Sequence, residues 1–137
     1  MKAPAFSLKD INDLEIALTD FKGKPVMITF WASWCPDSIK DLHQKNELFT
    51  SMDKDKLVFL TINVTGREGH EGDGPKFIAE QGYKFPVLLD KGTKTYDSYR
   101  CMGVPTTILL DKDQNIVATF NDRSTFMDIM NGLTKLV

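Results

Sequence analysis

Apolar and polar residues alternate in short blocks along the whole chain. Two blocks, residues 26–30 and 57–64, are apolar at nearly every position, which is typical of strands in a sheet that is covered on both faces. Shorter blocks of the same character predict further strands. The full predicted set is 6–8, 15–18, 26–30, 57–64, 87–89, 106–110 and 116–120. The first two strands are expected to form a hairpin, and so are the last two.

A period of three to four residues replaces this pattern after position 36 and predicts a helix. Ile39, Leu42, Asn46 and Phe49 fall near helical spacing. Pro36 suits the first turn of a helix, where its missing N–H costs nothing. The helix is therefore predicted to run from Pro36 to about residue 52.

Three further helical segments are predicted downstream. Asp73 is expected to cap a short helix that has Pro75 in its first turn and ends near Gly82. Residues 95–100 predict a helical turn, and residues 124–136 predict a closing helix. The candidate caps of the closing helix are Asn121, Asp122 and Ser124.

Composition narrows the class of protein. The chain has 137 residues, 42% of them hydrophobic and 26% charged, which fits one soluble globular domain over residues 1–137. The formal net charge of −2 argues against a nucleic acid as the partner. No apolar run approaches the roughly 18 residues that cross a bilayer, and Met1 leads directly into the domain without a signal peptide. Two histidines and two separated cysteines lack the spacing of a metal site, so we expect no metal and no cofactor.

The segment that joins the strand at 26–30 to the first helix carries the candidate chemistry. A cysteine, two residues and a second cysteine in this setting form a disulfide-exchange site. Here Cys35 occupies the first position and Ser38 the second. The amide groups and dipole at a helix start favour a thiolate, which is the nucleophile in disulfide exchange. The charge of Asp37 acts in the opposite direction. We expect Cys35 to be an accessible nucleophile in a shallow groove.

Ser38 leaves three interpretations open, because a serine hydroxyl forms no stable bond to sulfur. The first is an engineered replacement of cysteine by serine, made to trap a partner at the mixed-disulfide stage or to prevent oxidation. The second is a natural monothiol enzyme that uses glutathione or another small thiol. The third is a redox-inactive binding module.

Several motifs together resemble the thioredoxin-like proteins of the TlpA/ResA branch. Residues 31–35 (WASWC) resemble the signature around the active cysteine, and residues 103–107 (GVPTT) resemble the loop whose cis-proline faces that cysteine. Residues 3–8 and 18–25 resemble the N-terminal hairpin of the branch, and residues 83–90 resemble its inserted segment. The motifs are independent of one another and occur in the same order along the chain.

The resemblance implies an α/β thioredoxin fold, in which a central mixed sheet is flanked by helices, with an N-terminal β-hairpin and an inserted helix/strand segment. It implies a thiol-disulfide oxidoreductase that acts on protein thiols or disulfides in the cell envelope. The full-length protein would be secreted or membrane-anchored, through a leader absent from this chain. The implied partners are protein substrates and a membrane or soluble redox partner, and we expect a monomer.

The resemblance also assigns residues to roles. Cys35 would be the nucleophile, and Ser38 would stand in place of the resolving cysteine. Pro105 would be cis, which leaves the backbone of Val104 free to pair with an extended substrate segment. The residues expected to bind substrate are Trp34, Pro36, Asp37, Val104 and Pro105.

The chain departs from the family pattern at four positions. Thr29 stands where thioredoxins often carry a buried acid, and Asp41 and His43 stand where the branch has glutamate and proline. His43 is expected to face solvent. Cys101 replaces an aliphatic residue, either as part of the core or as a second sulfur near the site.

Two other function classes are alternatives. A non-catalytic protein-binding module could use the same groove. A thiol peroxidase could use the same cysteine, but peroxiredoxins carry threonine three residues before it, whereas this chain has Ala32.

Overall fold

The computed structural model describes all residues from Met1 to Val137. Its elements are seven strands and four α-helices: β1 (Ser7–Lys9), β2 (Glu15–Ala17), β3 (Val26–Trp31), α1 (Pro36–Ser51), β4 (Val58–Asn63), α2 (Asp73–Gln81), β5 (Val87–Leu89), α3 (Lys94–Ser98), β6 (Thr106–Leu110), β7 (Ile116–Phe120) and α4 (Phe126–Leu136). Two short 3₁₀ helices, Leu18–Phe21 and Thr65–Arg67, complete the set. None of the helices has the length and apolar character that crossing a bilayer requires.

Five strands form the central sheet in the order β5-β4-β3-β6-β7. The strand β4 runs parallel to β3 and β5, whereas β6 runs antiparallel to β3 and β7. The hairpin of β1 and β2 forms a separate two-stranded sheet. The predicted architecture, a mixed sheet flanked by helices with an N-terminal hairpin, is confirmed.

The core lies on both faces of this sheet. All six residues of β3 are buried, and the five apolar ones divide between two apolar clusters on opposite faces of the sheet. Leu42 of α1, Ile78 of α2 and Leu133 of α4 pack in one cluster. Leu8 of β1 and Tyr96 of α3 pack in the other. Because both faces are covered, the apolar character of this strand is continuous and not alternating.

Two predicted helix caps are wrong. The cap of α2 is Gly72, which has a φ of 86°, and Asp73 is instead the first helical residue. The cap of α4 is Thr125, whose hydroxyl accepts from the amide of Asp128, while the Asp128 carboxylate accepts from the amide of Thr125. This reciprocal pair satisfies two amide groups at once. Ser124 instead closes the preceding turn by accepting from the amide of Asn121.

Candidate active site

Cys35 lies between the end of β3 and the start of α1. Its extended backbone makes it the N-cap of α1, and Pro36 is the first helical residue. The prediction of an open thiol is wrong, because Cys35 is only 8% exposed. Its Sγ points at the carbonyl oxygen of Val104, 3.5 Å away, so the loop before β6 covers the sulfur.

The loop that covers Cys35 contains Val104 and Pro105, which we call the ledge. The Val104–Pro105 peptide bond is cis. Val104 makes no hydrogen bond to another backbone group, and its carbonyl accepts only from the Cys35 thiol. An unpaired main-chain edge therefore lies next to the sulfur, although Val104 is only 6% exposed.

Ser38 is fully buried in the first turn of α1. Its hydroxyl accepts a long hydrogen bond of 3.5 Å from the amide of Ala32. The structure thus places Ser38 on the inner side of the same helix start that carries Cys35.

The other predicted substrate-binding residues border this region. Trp34 is 54% exposed, and its indole N–H donates to the carbonyl of Arg67. Pro36 and Asp37 are exposed on the first turn of α1. Asp37 and Pro105 line one open polar pocket. The neighbouring Trp31 is buried in the core, as expected from the sequence.

Glu68 binds the turn at residues 32–35, which joins β3 to α1 and which we call the active-site turn. No motif in the sequence indicates this contact. The Glu68 carboxylate accepts from the amide of Ser33 at 2.8 Å and from the hydroxyl of Ser33 at 2.6 Å. It also accepts from the side-chain amide of Asn63 at 2.6 Å. Glu68 and Ser33 are 35 positions apart in the chain, and Glu68 lies in a loop that is recognisable from the sequence only as polar and glycine-rich.

Lys45 is a second residue whose place in the site the sequence does not predict. It is fully buried, and its Nζ donates to Asp41 at 2.9 Å, Thr29 at 2.8 Å and Thr107 at 2.9 Å. Burial is the main cause that lowers the pKa of Lys45, while the charge of Asp41 raises it. Thr29 and Thr107 are cross-strand partners on β3 and β6, so the lysine joins α1 to both strands. The spacing of four residues from Asp41 was the one available signal.

Cys101 has the character of a core residue. It packs against the cluster that contains Cys35 and Val104. Burial raises the pKa of the Cys101 thiol to about 12, although a hydrogen bond with Thr106 acts in the opposite direction. A thiol that resists ionisation is a poor nucleophile, which favours the core interpretation over a second reactive sulfur.

Comparisons with known proteins match nearly the whole chain. The model of the AhpC/TSA family matches residues 1–119. The thiol-disulfide oxidoreductase ResA of Bacillus cereus is 30% identical over 135 residues, which cover 98% of this chain and 76% of that protein. The crystal structure of StoA from Bacillus subtilis has a TM-score of 0.81 at 26% identity and covers 94% of this chain and 96% of that one. The pneumococcal exposed lipoprotein thioredoxin Etrx1 from Streptococcus pneumoniae has a TM-score of 0.82 at 29% identity, with coverage of 97% and 100%. The thioredoxin-like fold and the likeness to ResA that the motifs indicate are confirmed.

Proposed function

The chain belongs to the AhpC/TSA family, and we propose that it exchanges thiols and disulfides with protein substrates through Cys35. The observation that carries this proposal is the position of the sulfur. Cys35 caps the N-terminus of α1, and its Sγ meets an unpaired stretch of backbone at Val104. Amide groups at a helix start favour a thiolate, and free backbone favours an extended polypeptide. The name of its relative ResA, a thiol-disulfide oxidoreductase, agrees with this chemistry.

The first chemical step is an attack on a substrate disulfide. The thiolate of Cys35 forms a new bond to one substrate sulfur, and the other substrate sulfur leaves as a thiolate that takes up a proton from solvent. The product is a mixed disulfide between Cys35 and the substrate. Because the sulfur is largely covered in the resting structure, the substrate must displace the contact between Sγ and the Val104 carbonyl.

Substrate docking uses the ledge and its surroundings. An extended segment can pair with the N–H of Val104, and with its C=O once the contact with the Cys35 thiol is displaced, which holds the substrate cysteine opposite Cys35. Trp34 supplies an exposed apolar wall, and Pro36 and Asp37 border the approach from the helix side. This arrangement supports protein substrates over small molecules, since main-chain pairing selects a backbone.

Ser38 determines the fate of the mixed disulfide. In a two-cysteine site the second sulfur attacks the mixed disulfide and releases the substrate. Ser38 is buried at that position on the helix but has no sulfur, so the mixed disulfide persists until an external thiol attacks it. That thiol comes from a second protein or from a small-molecule reductant, either in solution or at a membrane. We propose that Ser38 replaces a resolving cysteine.

The proposed place of action is outside the cytoplasm. The solved relative Etrx1 is described as an exposed lipoprotein. A site that stalls as a covalent adduct also fits a compartment where substrate disulfides persist.

Mass spectrometry after incubation with a disulfide-bonded peptide tests the function. We expect one peptide adduct on Cys35, no adduct in the Cys35→Ser variant and an unchanged adduct in the matched Cys101→Ser variant. Failure of Cys35 to react would favour a non-catalytic binding module. Consumption of hydrogen peroxide without adduct formation would favour a thiol peroxidase.

A further inference from the structure

We propose that Glu68 is a positioning residue for Cys35, a role that rests on the proposed thiol exchange. Its carboxylate fastens the turn that carries the sulfur. Ser33, two residues before Cys35, donates both its amide and its hydroxyl to this one carboxylate. The turn is therefore held in place from outside by a residue of another segment.

Two hydrogen bonds within the turn are long, and the short bond to Cys35 itself, from the amide of Ile39 at 3.0 Å, belongs to the start of α1. The amide of Cys35 reaches the carbonyl of Ala32 at 3.4 Å, and the amide of Ala32 reaches the Ser38 hydroxyl at 3.5 Å. The two bonds to Glu68 are 2.8 Å and 2.6 Å long. Hydrogen bonds weaken as the distance grows beyond about 3.2 Å, and bonds to a charged acceptor are the stronger class. Glu68 thus supplies short, charge-assisted bonds where the turn's own bonds are weak.

Glu68 is itself held by the end of the sheet. Asn63, the last residue of β4, donates its side-chain amide to the carboxylate and is the register partner of Trp31 at the end of β3. Thr65 donates its hydroxyl to the carbonyl of Asp90 at 2.7 Å. The carboxylate therefore links the end of β4 to the turn by hydrogen bonds, and the turn fixes the position of the Cys35 sulfur.

Arg67, the residue before Glu68, also forms a hydrogen bond to the same turn. The carbonyl of Arg67 accepts from the indole of Trp34, the residue between Ser33 and Cys35. The Arg67 guanidinium lies over the ring of Tyr96 and forms no salt bridge with Glu68. All three donors to the carboxylate are neutral groups.

The hydrogen-bond geometry allows a substitution that keeps the contacts of Glu68 with the turn but removes its charge. One oxygen of Glu68 accepts from two N–H groups, and the other accepts from a hydroxyl. A glutamine can keep its carbonyl oxygen on the two N–H groups and donate its NH₂ to the Ser33 hydroxyl, which reverses the direction of that bond. Glu68→Gln therefore retains the three contacts without the charge, whereas Glu68→Ala removes all three.

The test measures the second-order rate at which Cys35 forms a mixed disulfide with a disulfide-bonded peptide, together with urea unfolding of each variant. We expect Glu68→Ala to lower the rate at least about tenfold, because a reacting atom displaced by about 1 Å costs up to 10²-fold, and we expect Glu68→Gln to stay within about threefold of the parent. Glu71→Ala is the matched control, since Glu71 is exposed in the same loop and forms no hydrogen bond to the turn. A purely structural role would lower stability but leave the rate of the folded protein unchanged.

The outcomes separate this inference from the function. If the parent chain forms no adduct at Cys35, the proposed function fails and the inference falls with it. If the parent reacts and folded Glu68→Ala reacts within twofold of it, only the inference is overturned. If Glu68→Ala does not fold, Ser33→Ala decides, because it removes only the hydroxyl contact. A several-fold slower reaction of Ser33→Ala supports the inference, and an unchanged rate overturns it.

Discussion

Removing the carboxylate of Asp41 leaves the buried Lys45 without its counter-ion. The ammonium would keep only the hydroxyls of Thr29 and Thr107 as acceptors, in a site with no exposure to water. Removing one partner of a buried ion pair costs about 3–5 kcal/mol. The side chain of Asp41 is itself 12% exposed, so water can partly replace it and the lower end of that range applies. We therefore expect Asp41→Ala to lower the free energy of unfolding by about 3 kcal/mol at pH 7.

The same argument sets an upper limit to the loss of stability in Asp41→Ala and makes this loss depend on pH. The folded protein can escape the penalty by releasing the proton of Lys45, which at pH 7 costs about 5 kcal/mol for a lysine with an unfolded-state pKa near 10.5. At pH 10 this escape costs less than about 1 kcal/mol, so the deficit of Asp41→Ala should shrink to that size. In the parent, burial lowers the pKa of Lys45, so the unfolded chain holds the proton longer. The contribution of Lys45 to the free energy of unfolding should therefore rise as the pH approaches 10.5.

Lys45→Met is the matched variant. It removes the buried charge and leaves Asp41 a route to water, while Thr29 and Thr107 can bond to each other across the strands. Replacing a whole buried ion pair with apolar groups is often close to neutral, whereas Lys45→Met alone leaves Asp41 without its cation. Because the Asp41 carboxylate is partly exposed, we expect a loss of about 1 kcal/mol, smaller than that of Asp41→Ala. Adding Lys45→Met to Asp41→Ala should restore most of the lost stability.

Urea unfolding under reducing conditions at pH 7 and pH 10, followed by tryptophan fluorescence, measures all four proteins of this cycle. Equal losses of stability in Asp41→Ala and Lys45→Met would refute the reasoning, because they would show that each partner of the ion pair stabilises the folded protein to the same extent. A deficit of Asp41→Ala that is the same at both pH values would refute the assignment of the penalty to a protonated lysine.

Three further predictions concern single positions. The Ser38→Cys variant should form a reversible disulfide with Cys35 and should catalyse repeated exchange with a disulfide substrate. If both thiols stay free after oxidation, this prediction is wrong. Because burial raises the pKa of the Cys101 thiol to about 12, the contribution of Cys101 to the free energy of unfolding should fall as the pH rises from 9 toward 12, so the parent should become less stable relative to Cys101→Val in alkaline urea unfolding. Gly74→Ala should cost about 1–3 kcal/mol, because its Cβ would overlap the amide of Asn63, whereas Gly69→Ala, with its nearest neighbour at 3.7 Å, should change the unfolding midpoint little.

The sequence predicts the elements whose signals are local. The strands at 87–89, 106–110 and 116–120 match the structure residue for residue, and the helix that begins at Pro36 ends one residue before the predicted position. Runs of buried residues and a proline in the first turn are properties of a few neighbouring positions. The placement of Cys35 at the helix start results from the same signals.

The parts that the sequence did not predict depend on contacts between distant segments. A glutamate in a polar loop has no local mark that distinguishes Glu68, which holds the active-site turn, from the exposed Glu71. Lys45 is a lysine on a surface helix, and its burial results only from the facing hydroxyls on β3 and β6. The GVPTT motif predicts that the loop before β6 faces Cys35, but the extent to which Val104 covers the sulfur depends on the pairing of β6 with β3, which the motif does not contain.

The contact between Cys35 and Val104 also bears on how the site comes into being during folding. It joins residues 69 positions apart, and it forms only when β6 has docked beside β3. Closing so long a loop carries an entropic cost that must be met before the contact contributes any stability. Until then the chain has two free thiols and no main-chain edge of Val104 beside Cys35, so under the proposed function nothing aligns an extended substrate with the sulfur. Under the proposed function, selective exchange therefore requires the β3–β6 pairing, and a nascent or damaged molecule that lacks this pairing would have a reactive thiol without the main-chain edge that selects its substrate.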